Sequence, residues 1–365
     1  MKPKGRKDKM EGSGKQKKVT EIKTFPVLHA LGEIKENIVI NTNSPSKEEI
    51  INQAFKFHSQ GNISEATKYY QYFIDQGFKD HRVFSNYGVI LKNLGKLQDA
   101  ELSYRKAIEL NPDAADEHYN LGLVLKDLGK IEEAKVEEKR GIDMNFIQNI
   151  DSKYKEACLK NLSLSTSQFR QDLFALSQLN FKKNGFFVEF GSCDGLVGSN
   201  SYILEKFFNW DGILAEPAIF WHTKLKENRS VNIETKCVWK SSGNEVLFNE
   251  PDTYQQMASI NMFSDKNKKY FKEGNRYKVK TISLLDLLET NQAPKTIDYL
   301  SIDTEGSEYE ILKAFDFDKY KFRVITCEHN FTSRREKIYD LLISKGYQRK
   351  LTNISRVDDW YIFAK

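Results

Sequence analysis

The sequence has little cysteine and proline. Its 365 residues include four cysteines and seven prolines. No CxxC pair and no cluster with metal-ligand spacing is present among the cysteines, which are Cys158, Cys193, Cys237 and Cys327. Three of them fall in or beside predicted strands, where they serve as small apolar residues. We therefore expect a reduced, cytoplasmic protein.

Long apolar segments are also missing, since no run approaches the roughly 20 residues of a membrane helix. The first residues, Met1 to Lys7, lead into no apolar region, so we expect neither a transmembrane segment nor a secretory signal. A formal net charge of +5 is slight for this length and argues against nucleic acid as a partner. The length itself predicts two domains.

Residues 1–46 form the first region of the chain. Residues 1 to about 24 are rich in lysine, glycine and polar side chains, which predicts a basic disordered tail. Its lysines are either solvated or in contact with anionic lipid, RNA or an acidic partner. Residues 25–45 are a lead-in without a defined pattern.

From Lys47 the chain repeats every 34 residues, with new repeats at His81 and Ala115. The alignment superimposes glycines at the inter-helix turn and alanines where helices cross closely, namely Gly61, Gly95 and Gly129, and Ala66, Ala100 and Ala134. This pattern resembles tetratricopeptide repeats. Three repeats over 47–148 are about the minimum for a stable array, although Glu138 replaces the aromatic residue expected in the third.

The tetratricopeptide resemblance implies a protein-binding surface. In such arrays the first helix of each repeat lines a concave groove. Four polar residues of those helices would then either hold a peptide backbone or carboxylate, or form a solvated face: Asn86, Lys92, Asn120 and Lys126. The expected partner is a protein or peptide, or a second copy of the chain.

After a helical connector and leading helix at 149–184, the segment Phe186-Phe187-Val188-Glu189-Phe190 predicts a buried strand. Gly191 and Gly195 follow in the spacing Glu-x-Gly-x-x-x-Gly, which differs from the dinucleotide pattern Gly-x-Gly-x-x-Gly. Gly191 allows a sharp turn and a close backbone approach to a ligand. Beyond it, strands and helices alternate in the doubly wound manner to residue 365. Lys236 to Trp239 is taken as the end of the third strand.

The segment Ser301-Ile302-Asp303-Thr304-Glu305-Gly306-Ser307-Glu308 is similar to the Asp-x-Glu-Gly-x-Glu signature of FkbM methyltransferases. Together with the glycine segment, it makes Ser165 to Lys365 resemble that family of class I S-adenosylmethionine-dependent enzymes. The resemblance implies a Rossmann-like α/β domain at 185–365, with a mainly parallel seven-stranded sheet that ends in an antiparallel pair. The fold class expected for the chain is a helical tetratricopeptide array followed by this domain.

The resemblance also implies which residues meet S-adenosylmethionine. Gly191 and Gly195 would contact its amino-acid and sugar portions, and Glu216 would accept hydrogen bonds from the ribose hydroxyls. Glu189 would either contact the amino group or brace the loop. The further residues assigned to the cofactor are Ser192, Asp194, Pro217, Val238 and Gln171. For Gln171 and its neighbour Asp172, helix capping or solvation at the surface are the alternatives, and Trp239 lies either by the adenine or in the core.

The expected reaction is O-methylation of a hydroxyl on a sugar, glycan or small molecule. The acceptor proton is removed either by Asp303 or His329 as a general base, with Glu305 nearby, or with help from Mg²⁺ or another divalent ion. That ion would be bound by Asp303, Glu328 and His329. Alternatively, Asp303 and Glu305 brace the following helix.

Two other functions are open at this point. One is an interaction scaffold whose methyltransferase-like domain is catalytically silent. The other is a nicotinamide enzyme of the same broad fold, which the missing second glycine of the dinucleotide pattern disfavours.

Overall fold

The computed structural model describes residues 45–263 and 272–364. The chain divides into two compact units, Met1–Gly141 and Ile142–Lys365. The predicted tail, up to residue 44, lies outside the described residues. Within the described part, none of the helices is both long and apolar enough to cross a membrane.

The first unit contains antiparallel helix pairs. Its helices are α1 (Lys47–Ser59), α2 (Ile63–Asp75), α3 (His81–Asn93), α4 (Leu97–Leu110), α5 (Ala115–Asp127) and α6 (Ile131–Asn149), the last of which continues into the second unit. Ser46 and Glu49 form the predicted capping box of α1. Each pair turns at a glycine with φ between +73° and +77°, a conformation that favours glycine. The predicted helical array is confirmed.

Small residues set the spacing of the helices in each repeat. A Cβ at Gly88 would lie 3.0 Å from the ring of Tyr104. In the third repeat a Cβ at Gly122 would lie 2.5 Å from Cγ of Glu138 and 2.8 Å from its backbone nitrogen. Both sites therefore exclude a side chain. Glu138 changes the contact from an aromatic ring to a closer approach of two backbones.

The second unit contains two sheets flanked by helices. Its strands are β1 (Phe186–Phe190), β2 (Asp211–Ala215), β3 (Asn232–Glu234), β4 (Cys237–Trp239), β5 (Glu245–Pro251), β6 (Ser259–Ile260), β7 (Gly274–Ser283), β8 (Thr296–Ile302), β9 (Lys321–Glu328), β10 (Tyr347–Lys350) and β11 (Asp358–Phe363). Its helices are α7 (Ser152–Asn161), α8 (Gln171–Gln178), α9 (Tyr202–Phe208), α10 (His222–Asn228), α11 (Leu284–Thr290), α12 (Glu308–Ala314) and α13 (Arg334–Ser344). Short 3₁₀ helices occupy Leu162–Leu164, Ile219–Trp221 and Gln255–Met257.

The larger sheet has seven strands in the order β10-β11-β9-β8-β1-β2-β3. All pairs are parallel except β10 with β11 and β11 with β9. Successive β1 side chains point to opposite faces, so Phe187 belongs to one apolar core while Val188 and Phe190 belong to the other. The mainly parallel seven-stranded sheet predicted for this domain is confirmed.

The smaller sheet corrects one prediction. Its order is β4-β7-β5-β6, so Cys237 to Trp239 does not extend the third strand of the large sheet. Val238 pairs in parallel with Ile282 of β7, and the third large-sheet strand is β3. The two strands are three residues each and two residues apart, so nothing local shows which sheet each joins. β3 pairs with the preceding strand β2, whereas the partner of β4 is β7, further along the chain.

Candidate functional site

Four strands of the large sheet carry acidic residues at or just beyond their carboxyl ends. Glu189 lies in β1, Glu216 follows β2, Asp303 follows β8 and Glu328 ends β9. The strand order reverses between β1 and β8, which makes this the topological switch point of the sheet. Open α/β sheets bind ligands in the crevice at such a point.

The turn after β1 brings its loop against the loop after β8. Gly191 has a φ of +72° and donates its N–H to the carbonyl oxygen of Ala215 over 3.0 Å. A Cβ at this position would lie 1.9 Å from the carbonyl oxygen of Asp303. Glycine is therefore required here, both for its conformation and for the close approach of two backbones.

Residues 191–199 are called the glycine loop below. Within it, Asp194 accepts the backbone N–H groups two and three residues further on, over 2.9 and 2.8 Å, so its carboxylate stabilises the turn itself. A Cβ at Gly195 would lie 2.6 Å from Cγ of Arg229. The Ser192 hydroxyl is buried and has no hydrogen-bond partner among the residues that the structure describes. A buried hydroxyl of this kind is available to a ligand.

Glu189 braces the glycine loop. Its Oε1 accepts the backbone N–H of Asn200 over 2.7 Å, and its Oε2 accepts the hydroxyls of Ser199, over 3.0 Å, and Ser201. Burial raises the pKa of Glu189, while the Arg229 guanidinium and these hydrogen bonds lower it. Of the two roles predicted for Glu189, the structure places it in the bracing one.

Glu216 connects β2 to the glycine loop. Its Oε2 accepts the backbone N–H of Cys193 over 2.9 Å, and its Oε1 accepts that of Ala218 over 2.8 Å. Only 4% of the residue is exposed, and this burial raises the pKa of Glu216 to about 7. Each carboxylate oxygen has a second lone pair, so a further donor can bind. Pro217, which is half-buried, follows directly.

Gln171 and Asp172, at the start of α8, are both buried and hydrogen-bonded. The Gln171 amide donates to Asp358 Oδ2 over 2.7 Å. Asp172 Oδ1 accepts the hydroxyls of Ser165, over 2.8 Å, and Ser167, over 2.6 Å. Asp172 therefore stabilises its own segment, while Gln171 reaches the acidic residues at the end of the sheet.

The two residues of β4 assigned near the adenine are both packed in apolar cores. Val238 contributes to the core of the large sheet, and Trp239 to that of the smaller one. The Trp239 ring lies edge-to-face with Phe263, with 5.8 Å between the ring centroids. For Trp239 the structure thus places the side chain in its packing role.

Asp303, Glu305, Glu328 and Asp358 are called the acidic group below. Carboxylate oxygens of the first three lie within 4.8 Å of one another. The interaction with Glu328 lowers the pKa of Asp303, against the larger effect of burial. Burial raises the pKa of Asp303 and, together with the Asp303 charge, that of Glu328. The two carboxyls therefore titrate as a pair, and their closeness favours one shared proton over two charges.

Asp358 was not expected at this site. It lies opposite Glu328 in the antiparallel register of β11 and β9. Burial and the nearby Asp303 charge raise the pKa of Asp358 to about 7. The available sequence signal was an acid at the start of the last strand, because an antiparallel strand begins where its parallel neighbours end.

The loop around the acidic group has an unusual backbone. Glu305 and Asn330 adopt positive φ values of +56° and +45°, and the Asn330 amide donates to Glu305 Oε2 over 3.5 Å. Such conformations concentrate at functional sites. Glu308, the last acid of the signature, instead accepts the N–H groups of Thr304 and Gly306 over 3.0 and 2.8 Å. The bracing role considered for this segment therefore falls to Glu308.

His329 does not fit the role of base or metal ligand that its position suggested. Its Nδ1 accepts the Phe331 backbone N–H over 3.0 Å, which puts the ring proton on Nε2. Nε2 lies 3.7 Å from Asp359 Oδ1 and has no hydrogen-bond partner within the described part of the chain. Burial lowers the pKa of His329 to about 4. The Nδ1 lone pair is thus already engaged, so the structure gives no support to His329 as a base or metal ligand, and that assignment stays a prediction.

In the first unit two of the four predicted groove residues, Asn86 and Asn120, are buried, whereas Lys92 is half-buried and Lys126 is exposed. Asn86 is 1% exposed, and neither atom of its amide has a hydrogen-bond partner among the described residues. Asn120 is buried too, and the Lys92 ammonium lies 3.7 Å from Asp127. The 34-residue period adds Asn52, which is exposed and which the sequence analysis overlooked.

Comparisons with known proteins concern both units. Residues 189–349 match the family model of the methyltransferase FkbM domain. Residues 88–134 match that of the TPR repeat. No curated protein matches the chain.

Similar solved structures include the Arabidopsis OM64 TPR domain, at 16% identity and a TM-score of 0.26, covering 32% of this chain and 93% of that one. The first TPR of Spaghetti (RPAP3) bound to an HSP90 peptide is 21% identical, with a TM-score of 0.27 and coverages of 34% and 97%. The TPR2B domain of yeast Sti1, in complex with an Hsp70 peptide, is 17% identical, with a TM-score of 0.26 and coverages of 32% and 90%. The two family matches thus place a stretch similar to the TPR repeat before a stretch similar to the methyltransferase FkbM domain.

Proposed function

We propose that the second unit transfers a methyl group from S-adenosylmethionine to a hydroxyl of a sugar, glycan or other small molecule. The observation that carries this proposal is the meeting of three strand ends at the switch point. The Gly191 turn touches the Asp303 backbone, and the next residues of the glycine loop are hydrogen-bonded to Glu216. A methyltransferase FkbM domain covers the same residues.

The residues of the glycine loop and its surroundings fit an adenosyl cofactor. Glu216 keeps a free lone pair on each carboxylate oxygen, which suits a pair of ribose hydroxyls. The buried Ser192 hydroxyl offers another hydrogen bond beside the turn. When bound, S-adenosylmethionine supplies an electrophilic methyl group, and the protein contributes orientation and exclusion of water.

An alcohol acceptor must also lose its proton. Asp303 is the base in this proposal, because its carbonyl oxygen and its Cβ lie against the Gly191 turn. The Asp303 carboxylate would take the acceptor proton as the acceptor oxygen bonds to the methyl carbon and the methyl–sulfur bond breaks, with S-adenosylhomocysteine as the leaving group. A positioned base contributes about 10²- to 10⁴-fold to such reactions.

A divalent ion is the second way to activate the hydroxyl. The donor set of Asp303, Glu305 and Glu328 suits a hard ion such as Mg²⁺, which prefers carboxylate oxygen. His329 is not part of this donor set. A bound ion would lower the pKa of the acceptor hydroxyl. Activity that survives EDTA undiminished would leave only the general-base route.

Calorimetry with S-adenosylmethionine, S-adenosylhomocysteine and NAD tests the cofactor. We expect both sulfur nucleotides to bind and NAD not to bind. Glu216→Ala should weaken the sulfur nucleotides, because the contact between β2 and the glycine loop is lost together with the ribose acceptor. If NAD alone bound, the methyltransferase proposal would be abandoned. If the sulfur nucleotides bound but no acceptor in a broad panel were methylated, the silent-scaffold alternative would be favoured.

For the first unit we propose that the repeats bind a protein or peptide. Asn52, Asn86 and Asn120 occupy the same position in three successive repeats. An asparagine amide offers both a donor and an acceptor, which matches a peptide backbone. Peptides selected from a displayed random library should lose binding when Asn52 and Asn86 are both changed to alanine. Unchanged binding would exclude this face of the helices.

A further inference from the structure

Arg229 is a buried cation beneath the glycine loop that the proposed reaction does not use. It caps the carboxyl end of α10, and its side chain is fully buried, at 0% exposure. A buried charge is stable only when it is paired and hydrogen-bonded. The partners of this one therefore show what it holds in place.

One side of the guanidinium is fixed to α9. Nε donates to Glu205 Oε2 over 2.5 Å, and the second oxygen of Glu205 accepts the backbone N–H of Ser230. The Arg229 charge and these hydrogen bonds contribute to a lowered pKa of Glu205. The ion pair thus joins the end of α10 to α9.

The other side of the guanidinium faces the glycine loop. Nη1 donates to the carbonyl oxygen of Gly195 over 3.0 Å and to the Ser199 hydroxyl over 3.1 Å. Nη2 donates to the Ser201 hydroxyl over 2.9 Å. Ser199 and Ser201 are the two hydroxyls that donate to Glu189. The loop is therefore clamped between a carboxylate in β1 and a guanidinium after α10.

Gly195 shows how closely the clamp fits. A Cβ at this glycine would lie 2.6 Å from Cγ of Arg229, so the loop backbone rests directly on the arginine stem. The planar guanidinium reaches a carboxylate, a carbonyl and two hydroxyls in one geometry. A lysine ammonium has three donors on a flexible stem and cannot reproduce this fork.

We propose that Arg229 is a positioning residue for cofactor binding, acting through the glycine loop without touching the cofactor. This inference rests on the proposed function. Because the clamp fixes the loop before the ligand arrives, its loss should weaken cofactor affinity and leave the chemical step unchanged. A residue needed only for folding would lower stability without that selectivity.

The test compares Arg229→Lys with two controls in the full-length chain. Arg323→Lys makes the same change at an exposed ion pair with Asp298, and Leu342→Ala destabilises the core in α13. For Arg229→Lys we expect the Kd for S-adenosylhomocysteine and the KM for S-adenosylmethionine to rise at least tenfold. The kcat and the acceptor KM should stay within about threefold. Arg323→Lys should match wild type, and Leu342→Ala should lower the Tm without this selectivity.

Hydrogen–deuterium exchange over residues 191–199 supplies a readout that needs no cofactor. Exchange there should be at least tenfold faster in Arg229→Lys and unchanged in both controls. Wild-type cofactor affinity in Arg229→Lys would overturn the inference. If the wild-type chain bound no sulfur nucleotide, the proposed function would fail. Unchanged loop exchange in Arg229→Lys would then overturn the clamp as well.

Discussion

The carboxylates on the two sides of the switch point have different kinds of partner. Around the glycine loop, Glu189 and Glu216 accept N–H and O–H groups of the protein on both oxygens. Across the sheet, Asp303 and Glu328 face each other and share a proton. The first arrangement fixes the glycine loop in place and suits rigid binding. The second leaves charge to be neutralised by a proton, an ion or a substrate, which suits chemistry.

We expect the largest effect from Asp303→Asn, which tests whether the acidic group, and not the glycine loop, carries the chemistry. The change keeps the shape of the side chain and removes the charge, so kcat should fall about 10²- to 10⁴-fold. The Kd for S-adenosylhomocysteine should remain within about threefold, because Asp303 contacts the glycine loop through its backbone. A kcat within tenfold of wild type would exclude Asp303 as the base.

Two glycines of the same loop offer a matched pair for the binding side. Gly191→Ala puts a Cβ against the Asp303 carbonyl, while Gly198→Ala has a similar φ of +77° and nothing within 4 Å of its Cβ. Calorimetry should show at least a hundredfold loss of cofactor affinity for the first and less than fivefold for the second. Equal effects would mean that backbone conformation, and not the contact between the loops, matters.

The pH dependence of cofactor binding sharpens the role of Glu216. Its charged form accepts ribose hydroxyls best, and its pKa in the free protein is raised to about 7. Affinity for S-adenosylhomocysteine should therefore increase up to about tenfold between pH 6 and pH 8. The charges of Glu189 and Glu250 also act on Glu216, so the dependence must be shown to come from Glu216 itself. The control for this is Glu216→Gln. In this variant the cofactor affinity should not change with pH. If affinity changed with pH as in wild type, another group would be responsible.

The same shift affects stability with a definite sign. Between about pH 4.5 and pH 7, the folded state holds a proton on Glu216 that the unfolded state has lost. The free energy of unfolding contributed by this group therefore falls as the pH rises through that range, and recovers as the pH is lowered. Chemical denaturation at pH 5 and pH 7.5 should show a smaller difference for Glu216→Gln than for wild type.

His329→Asn should have the smallest effect. The asparagine oxygen can accept the Phe331 N–H as Nδ1 does, and the neutral ring takes no part in proton transfer. We expect kcat within about threefold of wild type and an unchanged pH profile. A hundredfold loss of kcat, or the disappearance of a titration from the profile, would restore His329 as a catalytic residue.

The sequence predicted what depends on local pattern. The 34-residue period located the helix pairs because each repeat has the same glycine and alanine positions. Four parallel strands of the large sheet, β1, β2, β8 and β9, have a clear signal because each apolar segment ends in an acid or a glycine, whereas β3 was not predicted. β4 was assigned to the wrong sheet, since a three-residue strand has no local signal for its partner. Asp358 was missed because its neighbour in the site, Glu328, is joined to it only by sheet register.

The direction in which side chains point was also not predictable from the sequence. Glu328-His329 sits at a strand end, but successive residues there point to opposite sides. Glu328 reaches Asp303, whereas the His329 ring turns toward Asp359 and its arginine partners. Because Glu328 and His329 are adjacent in the sequence, both were predicted to lie in the same site. Only the structure shows that one of them faces the acidic group.

The contact between Gly191 and the Asp303 carbonyl limits how the acceptor preference of such a protein can change. In the proposed function the segment after β8 lies beside the acceptor, yet the first peptide of that segment also packs against the Gly191 turn. New acceptor preferences can therefore arise from side chains beyond residue 303, while the backbone at 303 must stay where it is. Libraries aimed at new substrates should randomise residues 304–306 and 330–331, and leave the Gly191–Asp303 contact untouched.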